Sequence, residues 1–216
     1  MAQLHLLPGL GADERLFASL GKFCMPIRST RLPDPVTHES MTDYALRVAT
    51  HIDLRPEDWV GGSSLGGLVA TEIARHRPVS GLVLIGSALT SEAVAPLARW
   101  LAPLARVAPM RPFRALLSTR AGLTLLFGPL TDIQQRLLAE MLLSTSDAML
   151  RAGAHLATSH HSTFPVLCPI HAIHGTIDRL MRPPRFNCRL VPNAGHALAL
   201  THPQDVTTFL RETLCQ

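Results

Sequence analysis

Ser64, Asp178 and His196 are the three residues whose types and settings could do chemistry together. A serine hydroxyl is a weak nucleophile at neutral pH. It needs a base in contact and a further group to orient that base. A histidine supplies the base; a carboxylate holds its tautomer and stabilises its protonated form without itself taking the proton. Ser64 lies in Gly62-Ser63-Ser64-Leu65-Gly66, which fits the G-x-S-x-G pattern of a nucleophile elbow. In such a turn a strand passes at once into a helix and the serine takes a strained backbone conformation. The positions two before and two after it must then lack bulk. Gly62 and Gly66 meet that need for Ser64, whereas for Ser63 the second small position would be Leu65.

Taken singly, Asp178 reads as a turn residue after Gly175-Thr176, and His196 as a loop histidine after Asn193-Ala194-Gly195. Jointly they read differently, because each follows an apolar run that predicts a strand. In parallel α/β folds, functional groups gather at the carboxyl ends of the strands. The other histidines carry weaker cases. His171 and His174 fall within or at the end of a strand, as core residues or as groups one layer behind the reacting ones. His51, His76 and His202 read as helix-end residues, and the pair His160-His161 as solvated or structural. A tetrahedral intermediate at Ser64 also needs oxyanion donors. The Leu65 N–H, at the start of the helix after the elbow, is one candidate. The Leu10 N–H, in the loop after the first strand, is the other. Gly9, Gly11 and Ser63 are expected to touch substrate beside them.

The elements that must position these groups follow from periodicity. Leu4-His5-Leu6-Leu7 predicts a buried strand stopped by Pro8-Gly9, and Ala12 or Asp13 can open a short helix with Leu16, Phe17 and Leu20 inward. Residues 27–32 predict a second strand. Ser40 with Asp43 predicts a helix start, followed by Met41, Tyr44, Ala45, Val48 and Ile52 at helical spacing. Residues 59–63 form the strand into the elbow, and Leu65, Leu68, Val69 and Ile73 mark the helix out of it. Leu82-Val83-Leu84-Ile85 is a continuous apolar run, the mark of a parallel strand covered on both faces. Alternating strands and helices predict a mostly parallel sheet flanked by helices. From 91 to 165 only helical signals occur, at 94–107, at 113–127, after the Thr131/Gln134 capping box, and at 148–157. The strand rhythm returns at 170–174 and 186–191, Pro183-Pro184 forbids a helix between them, and Pro203 opens a terminal helix with Val206, Phe209 and Leu210 inward. The expected organisation is an α/β core of residues 1–90 and 166–216, with a helical cap of residues 91–165 inserted after the strand at about 82–86.

Composition narrows the function classes. The chain has 216 residues, 47% of them hydrophobic, enough for one full core. The four cysteines, Cys24, Cys168, Cys188 and Cys215, are scattered without a C-x-x-C pair, which argues against a disulfide framework and against a zinc site. The first residues lack a basic n-region, and arginines interrupt every apolar stretch between 94 and 130. The expectation is therefore a cytoplasmic protein with no membrane span. The positive balance is almost wholly arginine and shows no aromatic interleaving, which argues against nucleic acid. The glycines at 9 and 11 lack the third glycine of a dinucleotide fingerprint, and no G-K-[ST] follows a glycine cluster. Between 91 and 165, seven arginines stand against four acids, a net of +3. Such a surface is either a solvated face or a landing site for an acidic acyl-carrier protein.

The chain resembles the α/β-hydrolase superfamily over nearly its whole length. The likeness is carried by Leu7-Pro8-Gly9-Leu10-Gly11, by Gly62-Ser63-Ser64-Leu65-Gly66-Gly67, by His174-Gly175-Thr176-Ile177-Asp178 and by Asn193-Ala194-Gly195-His196, in the superfamily's order of serine, acid and histidine. Two features depart from it: Pro8-Gly9 stands where many members have His-Gly, and the stretch from 178 to 186 is too short for the usual helix. The elbow stretch is similar to that of the carboxylesterases that cleave pimeloyl-carrier-protein methyl ester. The resemblance implies an α/β-hydrolase fold and a carboxylesterase-like serine hydrolase with a small helical cap. It would use no cofactor and no metal, and would cleave a small-molecule carboxylic ester or thioester through an acyl-enzyme on Ser64. An apolar acyl group would lie among Val94, Leu97, Leu101, Phe113, Leu125, Phe127 and Met141. Relatives that cleave C–C bonds with the same triad, or that only bind a ligand, stand as alternatives.

Overall fold

The run at 82–85 requires cover on both faces, and the fold supplies it. A computed structural model describes residues 1–162 and 164–215, except the side chains of Leu97, Ala105, Arg106 and Val107. Strands β1 (Leu4–Leu7), β2 (Ile27–Ser29), β3 (Trp59–Ser63), β4 (Gly81–Ile85), β5 (Ile170–Gly175) and β6 (Cys188–Val191) form one sheet in the order β2-β1-β3-β4-β5-β6. Every pairing is parallel. All of β4 is buried. Leu82 and Leu84 pack into one core with Tyr44, Val48, Leu68 and Ile73, while Val83 and Ile85 point into a second core with Phe17, Val206, Phe209 and Leu210. This is the period-2 alternation of a strand between two helical layers.

Those layers come from amphipathic helices with strong start signals. Helices α1 (Met41–His51) and α2 (Leu65–His76) cover the first face. Ser40 caps α1, its hydroxyl oxygen accepting from Asp43 N at 3.1 Å. A short 3-10 turn (Glu14–Phe17), capped by Asp13, lies on the other face with the terminal helix, which begins at Pro203 as the sequence predicts. Between β4 and β5 the chain is helical: α3 (Pro96–Val107), α4 (Met110–Leu117), α5 (Arg120–Phe127), α6 (Asp132–Ser144) and α7 (Asp147–Ser159). After β6 come α8 (Leu198–Thr201) and the terminal α9 (Pro203–Leu214). The capping box forms at α6, Thr131 and Gln134 each accepting from the other's backbone N–H.

Four expectations are corrected. Residues 113–127 are not one helix. The chain breaks at Ser118-Thr119, where the Thr119 hydroxyl accepts from Gly122 N at 3.1 Å and starts α5 anew. Strand β2 stops at Ser29 and β6 begins at Cys188, both shorter than predicted. Cys24 and Cys215, 191 residues apart, are joined in a disulfide with Cα atoms 5.9 Å apart, so the scattered cysteines do hold one cross-link. Arg99, Arg114 and Arg151, part of the positive balance at 91–165, donate to backbone carbonyls of Val94, Leu143 and Ala108. They are partly spent on internal bonds. Among the described residues, no helix is long and apolar enough to cross a membrane.

Candidate active site

The sheet order dictates where a site can form. The chain leaves β1 toward β2 and leaves β3 toward β4, so connections diverge between β1 and β3. At such a switch point the carboxyl ends open a crevice. Ser64 sits there, the single residue between β3 and α2, with φ 53° and ψ −122°. That conformation costs a non-glycine residue ~1–3 kcal/mol, which the surroundings must offset. The restraint is visible. The Ser64 carbonyl accepts from the Ser87 hydroxyl at 2.8 Å and from the Gly67 and Leu68 amides at 3.0 and 3.2 Å. The glycines flanking the turn are sterically compulsory: a Cβ at Gly62 would stand 2.5 Å from the Leu7 carbonyl oxygen, and one at Gly66 only 2.1 Å from it. The small positions two before and two after Ser64 are therefore a packing requirement imposed by β1.

Asp178 follows β5 by three residues and His196 follows β6 by five. Both are buried. Asp178 Oδ1 accepts from the amides of Leu180 and Met181 at 2.8 and 3.0 Å. Its Oδ2 accepts from His196 Nδ1 at 2.8 Å and from His174 Nε2 at 3.1 Å. Burial alone would raise the Asp178 pKa. The positive charge available to His196, with hydrogen bonds from His174 and His196, outweighs it and holds the carboxyl far below the usual carboxylate range. An ionised carboxylate can only accept, so the neutral imidazole of His196 would carry its hydrogen on Nδ1 and offer the Nε2 lone pair. The same logic applies to His174, whose Nε2 also faces the Met181 carbonyl at 3.0 Å. Two acceptors hold a hydrogen on Nε2, and His174 braces the acid.

Ser64 and His196 line one cavity of about 170 Å³. Gly9, Leu10, Ser63 and Leu65 line it too, so four of the five further expected residues meet there. Leu65 is the first residue of α2, and its N–H has no helical acceptor. A Cβ at Gly9 would lie 3.0 Å from Ser64 Cβ, which puts the loop after β1 directly against the serine. Gly11 is the exception. It is not among the lining residues; it takes φ 78° and abuts Leu142, so its role is to turn the chain. Of the apolar residues expected around a ligand, Val94, Leu101, Phe113 and Phe127 line the cavity. Leu125 is instead exposed, and Met141 is buried in the core behind the cavity. The Leu97 side chain lies outside the described residues. Phe127, at the end of α5, also stacks on the His196 ring with centroids 6.1 Å apart.

A second polar centre was not predicted as such. Glu72, on α2 and 1% exposed, accepts from Thr42 Oγ1 at 2.6 Å, His76 Nε2 at 3.0 Å, His160 Nε2 at 2.9 Å and Arg75 Nη1 at 3.2 Å. Burial pushes this carboxyl up, but the Thr42 hydrogen bond, the His160 charge and the remaining bonds bring it below its ordinary value. The node ties α1, α2 and the chain leaving α7 together, which gives His160 a structural role. Its one sequence signal is an acid inside the otherwise small and apolar helix that leaves the elbow. Among the described residues, no group of three or more histidine, cysteine, aspartate or glutamate side chains could hold a metal ion.

Residues 6–208 match the sequence profile of the alpha/beta hydrolase family. No curated protein sequence matches the chain. Among solved structures it is similar to a thermophilic esterase from Thermogutta terrifontis, at 18% identity and TM-score 0.68 over 100% of this chain and 90% of that one. It is similar to an enol-lactonase from Burkholderia xenovorans at 15% identity and TM-score 0.74, covering 100% and 92%. A hydrolase from Oleispira antarctica gives 15% identity and TM-score 0.77 with the same coverage, 100% and 92%. At these identities the likeness is one of fold.

Proposed function

The chain belongs to the alpha/beta hydrolase family, and on that premise we propose that it is a serine hydrolase cleaving a carboxylic ester or thioester through an acyl-enzyme on Ser64. The observation that carries this reading is the strained Ser64 on the wall of the same apolar cavity as His196, with Asp178 fixing the His196 tautomer. In the proposed reaction Ser64 Oγ forms a bond to the substrate carbonyl carbon and its proton passes to His196 Nε2. The carbonyl oxygen becomes an oxyanion, held by the Leu10 and Leu65 N–H groups. Each such donor is worth about 3–4 kcal/mol where one has been removed elsewhere. The tetrahedral intermediate then expels the alcohol or thiol, which takes the proton from His196. Water attacks the acyl-enzyme by the same route, giving its proton to His196. Collapse releases the acid and returns the proton to Ser64. Asp178 stays ionised throughout and stabilises the His196 imidazolium.

A lactone is an internal carboxylic ester, so the esterase and the lactonase of similar fold fall in one reaction class, which this chain is proposed to share. In this reading residues 91–165 act as a cap over the site, and the protein is cytoplasmic. The Cys24–Cys215 bond tests that location, because reducing compartments seldom keep such bonds. Rapid alkylation in intact cells, followed by mass measurement, should find both thiols modified if the location is cytoplasmic. For the chemistry, a fluorophosphonate should label Ser64 and a p-nitrophenyl ester should be turned over, and both should vanish in Ser64→Ala. Turnover that survives this substitution would remove Ser64 as nucleophile.

A further inference from the structure

Among the described residues, none of the side chains lining the cavity beside Ser64 belongs to lysine, arginine, aspartate or glutamate. Of the described residues, only Ser63, Ser64, Thr158 and His196 bring polar side chains to its wall. The Thr158 hydroxyl already donates to the Ala154 carbonyl at 2.8 Å. Ser64 and His196 are committed to the reaction in the reading above. The remaining wall therefore offers a ligand almost nothing but dispersion and exclusion from water.

The volume sets a length. The cavity holds about 170 Å³, and an engineered apolar cavity of ~150 Å³ accommodates benzene, a six-carbon group. The boundary has a definable cause. Helices α3 and α7 meet through Ala102 and Ala154, which form a small cluster closed by Leu10 and Phe113. Two alanines at that contact leave the space that larger residues would occupy. Leu142 and Leu150 close the neighbouring wall.

We propose that this cavity takes a neutral hydrocarbon acyl group of about six to eight carbons, that Ala102 and Ala154 set its length, and that acyl groups ending in a carboxylate or an ammonium are rejected. The inference rests on the reading of Ser64 as the acylated nucleophile. The acyl half is assigned to the cavity because it stays attached while the leaving group departs. A wall that is almost wholly apolar suits the half that stays. Each methylene buried against such a wall contributes about a fourfold gain in kcat/KM while space remains. A terminal carboxylate would be buried without a partner, and at least a hundredfold loss follows.

The test is a series of p-nitrophenyl esters from acetyl to dodecanoyl, with the leaving group held constant, and an adipoyl half-ester as the charged counterpart of hexanoyl. Wild-type kcat/KM should climb roughly 250-fold from acetyl to hexanoyl, level off by octanoyl and fall beyond. The adipoyl half-ester should be at least a hundredfold slower than hexanoyl. Ala154→Leu adds three carbons to the wall, and should lower the octanoyl-to-butanoyl ratio of kcat/KM by at least tenfold. Leu142→Ala removes three and should move the optimum to longer chains, so the proposal remains testable if Ala154→Leu does not fold. Fluorophosphonate labelling separates the two readings. A labelled Ser64 with a flat profile, an optimum at acetyl, or a shared rate for hexanoyl and adipoyl overturns the length and charge assignment alone. No labelling and no turnover overturns the hydrolase reading beneath it.

Discussion

Replacing Glu72 by glutamine is the most direct test of how the core helix that leaves Ser64 is held. The substitution keeps volume and shape, so it opens no cavity. What it changes is chemistry. The carboxylate accepts four hydrogen bonds, two of them from His76 and His160 and one from Arg75, whose side chain is 6% exposed. Glutamine has one acceptor oxygen and a donating NH2. If the oxygen keeps Thr42 and His76, the NH2 is turned toward Arg75 and His160, both donors. A buried guanidinium then loses its counter-charge, and breaking one side of a buried pair costs about 3–5 kcal/mol. Total stability for a domain is ~5–15 kcal/mol, so the loss is a large share. At about 2–4 °C per kcal/mol for a chain of this size, the melting temperature should fall by ~6–20 °C. Urea unfolding followed by circular dichroism gives the free energy directly. A Glu72→Gln, His160→Gln cycle should return a coupling of ~0.5–3 kcal/mol. A loss below about 0.5 kcal/mol for Glu72→Gln, or no coupling to His160, would refute the reasoning.

Three further outcomes follow from the geometry. Changing Cys24 and Cys215 to serine opens a loop of 191 residues; chain entropy predicts a loss of up to about 5 kcal/mol, read as a lower urea midpoint. Acidification should destabilise the fold below about pH 4. Asp178, Glu72 and Asp58 all titrate below their ordinary values in the native state. The unfolded chain therefore takes up protons first, and the stability these carboxylates contribute is present above the unfolded pKa and lost as pH falls through the folded one; urea midpoints at pH 7 and pH 3.5 would show it. Gly66→Ala should yield insoluble or inactive protein, since its Cβ would meet the Leu7 carbonyl oxygen at 2.1 Å; a soluble, active variant would show that β1 can move aside.

Much of the candidate site was legible because its constraints are local. Gly62, Ser64 and Gly66 declare a turn whose sterics are set within five residues, and the acid and histidine each sit just past an apolar run. The α4–α5 break was missed: the Ser118-Thr119 pair holds the cap of α5, but the apolar residues on either side read as one continuous helix. What could not be read depends on approaches between distant segments. Glu72 looks like a solvent-facing helix residue until Thr42 from α1 and His160 beyond α7 are brought to it. Cys24 and Cys215 become partners only once α9 lies beside the loop before β2. Gly11 resembles a ligand contact by sequence, and only the position of Leu142 shows that it turns the chain.

In the oxidised protein, the cross-link between Cys24 and Cys215 has a consequence for how damage to the chain would appear. It encloses everything from 24 to 215, including β2 to β6 and all the helices between β4 and β5. A single backbone cut anywhere in that span leaves both fragments covalently joined. A protease that clips the connection at Gly128 or the segment after α7 would leave the mass on a non-reducing gel unchanged apart from one added water. Only after reduction would two pieces separate. Nicked chains would thus stay together, with Ser64 and His196 on different fragments of one covalent molecule.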